Sequence, residues 1–377
     1  MAKISFLFTM GYLASGLSIL FLSQVVTKSV YSTAATHNSS TIDAGMHLLV
    51  KENKQTPIQF SSKTDFEHES TDLIANVLYR KPSNLYNLMQ PNGAYSINAD
   101  WERQQANKWY IETQKYSEEA IIGGLVKNNP QAIQAGFKMF DWGFAHQAND
   151  GSFFLTGDRF HSTSFFVEAV AHALLVIQQS PGSKQYAYQV AKYKPLLHRA
   201  ARWMILPNVW KNGIRRNKPY AHRRYLVATA LGLTGKLTGD EELIKYARKS
   251  IQDGLSLQHP DGVNPEKGGY DSSYQMAGVM FAQRWVTYFP NDSLSQRVTA
   301  MIERALSWEQ TRILPTGEII AQGNTRTAGQ EKRRNGNAKL VDPRTVLRAF
   351  AYWGSVTGNQ KWEENAQKIA KFYYKIP

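Results

Sequence analysis

Cysteine is absent from the 377 residues. The absence excludes disulfides, thiol catalysis, thiolate-bound metal and a lipoprotein anchor. The nine histidines are scattered, with no HxH or HExxH run, and no glycine-rich strand-to-helix motif is present. Neither a metal nor a nucleotide cofactor is therefore expected, although loop aspartates leave calcium open. Alternating β-branched residues are scarce, which removes the usual mark of strands. Negative charge is in short supply: 30 acidic residues face 44 basic ones, a net charge of +14. An excess of that size biases the protein toward anionic partners, or keeps it soluble near an anionic envelope.

What is present first is an uncharged stretch. Lys3 is followed by Ile4 to Thr27 without a charge, with ISFLFTMGYLASGLSILFL at its centre. This has the n-region and h-region of a secretory signal, and Ser32, Thr33, Ala34 and Ala35 offer a cleavage zone. An uncleaved membrane anchor is the rival reading, since about 20 apolar residues span a bilayer. Residues 1–35 are read as signal peptide or anchor, 36–65 as a linker or N-terminal arm, and 66–377 as the body. Either reading engages the membrane during export and places the body in the periplasm or outside the cell. That compartment favours acidic polysaccharide over nucleic acid as the partner. The body is read as a monomer.

Turn signals recur along the body at Asn92-Gly93, Asp150-Gly151, Asn212-Gly213, Asp261-Gly262 and Thr316-Gly317. A period of about 50 to 60 residues holds two helices with their connections. The stretches 164–177, 224–233, 274–286 and 346–356 are apolar nearly throughout and predict helices buried on all sides. Those starting at Asp240, Asn291 and Asn359 carry one apolar stripe behind a capping residue. Buried helices alternating with amphipathic ones describe an inner and an outer ring. The expected fold is all-α, an α/α toroid of five helical hairpins, or six with the N-terminal stretch; an open solenoid is the rival. In a toroid the ligand site lies where loops enter the inner helices.

Those loops carry the chemistry. His222 sits in KPYAHRR among Arg215, Arg216, Lys218, Arg223 and Arg224. Histidine is the ordinary acid–base residue near neutrality, and guanidinium groups pair with oxyanions. The basic neighbours favour its neutral form. Tyr270 and Tyr274 flank Asp271 at the next inner helix, with Lys267 just upstream. Elimination from a uronic acid needs three things: neutralisation of the carboxylate, a base for the α-proton, and an acid for the leaving oxygen. A tyrosine beside cations can serve as base and acid in turn. Arg159 and His161 precede another buried helix and are read as substrate-binding, His161 to position a sugar or to share the acid–base role. His172, inside that helix, is read as a core histidine. The last loop, with Asn324, Arg326, Arg333, Arg334 and Asn337, is long and basic. It could close over a polymer. Trp101, Trp142, Trp203 and Trp210 are sugar platforms or core.

Two stretches resemble the polysaccharide lyases with an incomplete α/α toroid, especially the alginate lyases of that class. NKPYAHRRYLVATALGLTG is similar to the segment where those enzymes place an Asn-His pair ahead of a buried helix. DGVNPEKGGYDSSYQMAG is similar to the segment bearing their catalytic arginine and, seven residues later, their catalytic tyrosine. The resemblance implies that His222 binds or neutralises a carboxylate, that Tyr274 transfers the proton, and that Lys267 stands in the arginine's place. Ala221, not asparagine, precedes His222, and Asn217 is the nearest upstream asparagine. The expected catalytic set is Tyr274, His222 and Lys267. The expected substrate-binding set is Arg223, Arg224, Asn217, His161, Arg159, Tyr270, Asp271 and Arg326. A glycoside hydrolase on the same fold is the alternative, with carboxylates drawn from Asp141, Asp150, Asp158, Glu168, Asp271 and Glu318. A non-catalytic carbohydrate-binding protein is the third reading.

Overall fold

The structure is a computed structural model that describes residues 60–81, 87–154, 156–333 and 336–376. The expected signal or anchor, and the arm up to residue 59, lie outside the described residues. Among the described residues every regular element is helical, and the remaining backbone pairings are isolated bridges at turns.

Three short helices lead: α1 (Asp65–Glu69), α2 (Asp72–Val77) and α3 (Ile97–Glu102). Then come α4 (Tyr116–Val126), α5 (Pro130–Ala145), α6 (Arg159–Gln179), α7 (Ala187–Met204), α8 (Pro207–Asn217), α9 (Ala221–Thr238) and α10 (Glu241–Leu255). The chain closes with α11 (Ser272–Tyr288), α12 (Ser295–Gln310), α13 (Pro343–Thr357) and α14 (Gln360–Tyr374). Five hairpins pack pairwise: α4 with α5, α6 with α7, α9 with α10, α11 with α12, α13 with α14. Their first members also pack on one another in order, α4 on α6, α6 on α9, α9 on α11, α11 on α13. The fold is therefore all-α and multi-helical, with long-range packing between hairpins.

The two kinds of helix differ as their sequences require. In α9 nearly every residue from Ala221 to Leu237 is buried, which suits a helix enclosed on every side. In α10 only the stripe Leu243, Ile244, Ala247, Ser250, Ile251 and Gly254 is buried. Each fully buried aliphatic side chain there contributes about 1.5–3 kcal/mol. Gly239 ends α9 in the left-handed conformation and Asp240 caps α10 by accepting from the Leu243 and Glu242 amides. Among the described residues, α6 alone is long and apolar enough to cross a membrane, and 89% of its apolar window is buried inside the fold. It is a core helix.

The turn repeat has one physical cause. Gly93, Gly151, Gly262 and Gly317 all have positive φ, between 92° and 102°. At each, an added Cβ would lie 2.0–2.3 Å from a carbonyl oxygen on the second helix of the hairpin that follows: Lys138, Arg199, Arg304 or Lys368. The turns thus clip each hairpin's entry loop onto its outer helix. The predicted fifth turn, Asn212-Gly213, is not one: it lies inside α8, where Gly213 lets the Phe160 ring approach. The run from Asn291 becomes helical only at Ser295, with Asp292 accepting from the Leu294 amide ahead of it.

Candidate functional site

The entry loops of α6, α9, α11 and α13 converge at one end of the buried helices. Asp271 organises the junction. Its Oδ1 caps α11 by accepting from the Tyr274 amide at 3.1 Å. Its Oδ2 accepts from the Arg326 amide at 3.0 Å, the Thr327 amide at 2.7 Å and the Thr327 hydroxyl at 3.0 Å. One buried carboxylate therefore fixes the start of α11 and the last loop together. Arg326 is delivered onto the tyrosine, its guanidinium 3.4 Å from the Tyr274 ring centroid and 4.7 Å from that of Tyr220. Lys339 donates to Tyr274 Oη at 3.1 Å. The phenol is thus flanked by two cations.

His222 lies beside it, ring centroids 5.0 Å apart. Its amide and Nδ1 both bond Glu266 Oε1, at 2.9 and 2.7 Å, and Arg326 Nη1 reaches Glu266 Oε2 at 3.4 Å. Burial, with Arg326 and Arg223 nearby, pushes the His222 imidazole well below its ordinary pKa, so it is neutral. His161, its centroid 6.3 Å from that of His222, is pushed down likewise by burial and by Arg223, and its Nδ1 has no partner. Burial raises the Glu266 carboxyl to about 7, against the lowering effects of the His222 amide and Arg326. Two neutral imidazoles thus stand among guanidiniums, a setting that favours an anion over a cation.

The remaining expected residues fall in different places. Arg223 is largely buried; it pairs with Asp158 at 3.2 Å, lies over the Tyr220 ring and contacts Asn217 Oδ1. Asn217 Nδ2 and Arg223 Nε have no partner. Lys267 joins the cluster through Glu331, and the guanidinium that lies on the Tyr274 ring is that of Arg326. Arg224 faces away: its guanidinium is spent on Asp253 and the Asn217 and Tyr220 carbonyls. Arg159 is exposed near Phe154. Tyr270 packs on Trp308 and donates to the Gln322 carbonyl at 3.1 Å. Asp271 is fully enclosed and positions the loop instead of meeting a ligand. Of the candidate carboxylates, Asp141 pairs with Lys192, Asp150 holds its own turn through Ser152, and Glu318 is exposed.

A cavity of about 770 Å³ opens beside this cluster, lined among others by Asp100, Glu112, Lys115, Phe165 and Arg333. Phe165 links the two, its ring 4.8 Å from His161 and under the Lys115 ammonium at 4.1 Å.

A second cluster lies deeper, between α1 and the buried helices. Asp65 accepts from Tyr352 Oη at 2.6 Å, Tyr288 Oη at 2.7 Å and His172 Nε2 at 2.6 Å. His172 Nδ1 donates to Glu118 at 2.7 Å. Arg284 pairs with Glu118 and Glu168, and Arg348 with Glu69. Carboxylates joined to an imidazole are the groups of an acid–base or ligand-binding site, so the cluster supports a general capacity for catalysis or binding without selecting a reaction. Asp65, Glu69 and His172 offer three ligand atoms within 4.8 Å of one another. Yet burial and Arg284 push the His172 imidazole down while Asp65 and Glu118 more than offset them, holding it charged at about 9. A metal held by this set would have to displace a proton from the imidazole.

No protein-family model matches the chain, and no curated protein or solved structure does. Sequence reasoning missed Glu266, Glu331, Lys339 and Asp65. For Asp65 a signal existed: Thr64 and Glu67 form a capping box around it. Glu266 and Lys339 meet His222 and Tyr274 across distant loops, and Glu331 pairs inside an irregular loop with no helical or strand spacing, so none leaves a local signature.

Proposed function

We infer that the protein is an enzyme that cleaves an anionic, uronic-acid-containing polysaccharide by β-elimination, on an α/α toroid. The observation that carries this reading is Tyr274, a half-buried phenol flanked by Arg326 and Lys339 beside the neutral His222. The toroid is supported by the ordered packing of the first helices and by ion pairs that lead from the last hairpin back to the first, Arg344 to Glu119 at 2.7 Å and Arg348 to Glu118 at 4.0 Å.

In this reading His222, His161 and Arg223 meet the uronate carboxylate and offset the charge that develops on it as the α-proton leaves. Tyr274 Oη, as phenolate, takes that proton. The electron pair left on carbon forms the double bond and expels the glycosidic oxygen. The same phenol then returns its proton to that oxygen, so the enzyme ends as it began. Lys339 and Arg326 offset the negative charge that the phenol oxygen carries before the first transfer and regains after the second.

The test is ultraviolet absorbance of the unsaturated uronate while the purified protein meets alginate, polygalacturonate, hyaluronan, chondroitin sulfate, heparin and glucuronan in turn. Absorbance should rise with one of them, and Tyr274→Phe should cut the rate by about a hundredfold or more. Hydrolysis is the second reading, favoured by Asp100 and Glu112 on one cavity. New reducing ends without absorbance would move the assignment there. Silence in both readouts would sink the enzyme reading and leave carbohydrate binding.

A further inference from the structure

A carboxylate already sits on the two cations that flank the tyrosine, and it belongs to the chain. Glu331 Oε1 accepts from Arg326 Nε at 3.1 Å and Oε2 from Arg326 Nη2 at 3.3 Å, the fork geometry by which a guanidinium recognises a carboxylate. Lys339 Nζ donates to Oε2 at 2.6 Å while also holding Tyr274 Oη. Lys267 Nζ binds Oε1. Three cations thus converge on one acid, more positive charge than a single structural ion pair requires. The backbone of Glu331 is held independently: its amide donates to the Arg326 carbonyl at 3.0 Å and its carbonyl accepts from the Lys339 amide at 2.8 Å. A turn of the side chain alone would vacate the cations.

We propose that Arg326, Lys339 and Lys267 form a carboxylate subsite beside Tyr274, and that Glu331 is its internal occupant, displaced when a uronate carboxylate of the polymer binds. The identity of the ligand rests on the function proposed above; recognition of a carboxylate does not. An internal occupant lowers the apparent affinity by the fraction of time the subsite is filled. It also rejects neutral sugars, which cannot replace the lost ion pairs. The three cations hold the Glu331 carboxyl down at about 2 against the effect of burial, so it competes as an anion at every working pH.

The experiment is calorimetry and thermal unfolding on the full protein and on Glu331→Ala and Glu331→Gln. Acetate should bind Glu331→Ala and raise its Tm while leaving the unsubstituted protein unmoved. Among oligomers of galacturonate, mannuronate and glucuronate, at least one should bind both variants about tenfold more tightly than the unsubstituted protein, and a malto-oligosaccharide should show no such gain. If Glu331→Ala does not fold, Glu331→Gln, which keeps the shape and loses the charge, decides. Failure of acetate to bind the alanine variant would overturn the subsite. Acetate binding with no uronate oligomer gaining affinity would overturn the displacement and make Glu331 a strut for Arg326. The readout is binding, so an absence of cleavage on every polymer would remove the proposed reaction and leave this test intact.

Discussion

Glu266 sets the state of the histidine it holds. Ionised, its Oε1 accepts from His222 Nδ1–H and leaves Nε2 as a bare acceptor. Protonated, it can donate to Nδ1, and the imidazole then carries its proton on Nε2. The change falls near neutrality because burial raises this carboxyl to about 7. Above that value the site gains a negative charge and His222 loses the donor that a carboxylate needs. Affinity for a uronate oligomer should therefore fall by about tenfold as pH rises through about 7. Glu266→Gln, which cannot ionise, should flatten that step, read by calorimetry across a pH series; an unchanged step would detach Glu266 from binding. At this scale His222, Tyr274 and Arg326 were legible, because reactive residue types crowd the mouths of buried helices. Their partners were not. Glu266, Lys339 and Glu331 look like ordinary surface charges until the loops meet, and the arginine that lies on Tyr274 comes from a loop 52 residues further along the chain.

The helices themselves were readable from hydropathy, since an enclosed helix must be apolar on every face and an outer one on a single stripe. α8 was hidden by its glycine: Asn212-Gly213 has turn chemistry, and only the Phe160 ring against Gly213 explains why a helix tolerates it. The four true turns give a test of what they do. Gly317 has φ +94°, and a Cβ there would meet the Lys368 carbonyl at 2.0 Å. Gly358 has φ +65° with nothing within 4 Å. Gly358→Ala should cost about 1–2 kcal/mol, the backbone term alone. Gly317→Ala should cost about 3 kcal/mol or more, because α14 must also move off its entry loop. Urea unfolding separates the two; equal losses would mean that the turn clips nothing.

For the molecule as a whole, the buried charge network decides how stability varies with pH. Burial would raise the Glu118 carboxyl, but Arg284 and His172 bring it down to about 2. Asp65 is lowered too, His172 overcoming the effect of burial. Their contribution is complete above the ordinary carboxylate value and is lost as pH falls through the folded values. His172 acts in the opposite sense: raised from 6.5 to about 9, it contributes fully below 6.5 and loses that contribution as pH rises through about 9. Glu266 and Glu309, raised by burial to about 7 and about 8 from 4.5, also lose stability as pH climbs. His161 and His222, pushed well below 6.5, gain stability as pH rises to 6.5 and offset that loss until then, so Tm should decline from about pH 6.5 through 9. Asp65→Asn tests the source of the decline. It removes one partner from a buried set and should cost about 3–5 kcal/mol at about pH 6. It also lets the His172 value fall toward its ordinary range, so the variant should lose less than the parent between about pH 6.5 and 9. A variant that keeps the parent's slope would show that His172 draws its charge from Glu118 alone, and that α1 is packed against the buried helices without being part of their electrostatic closure.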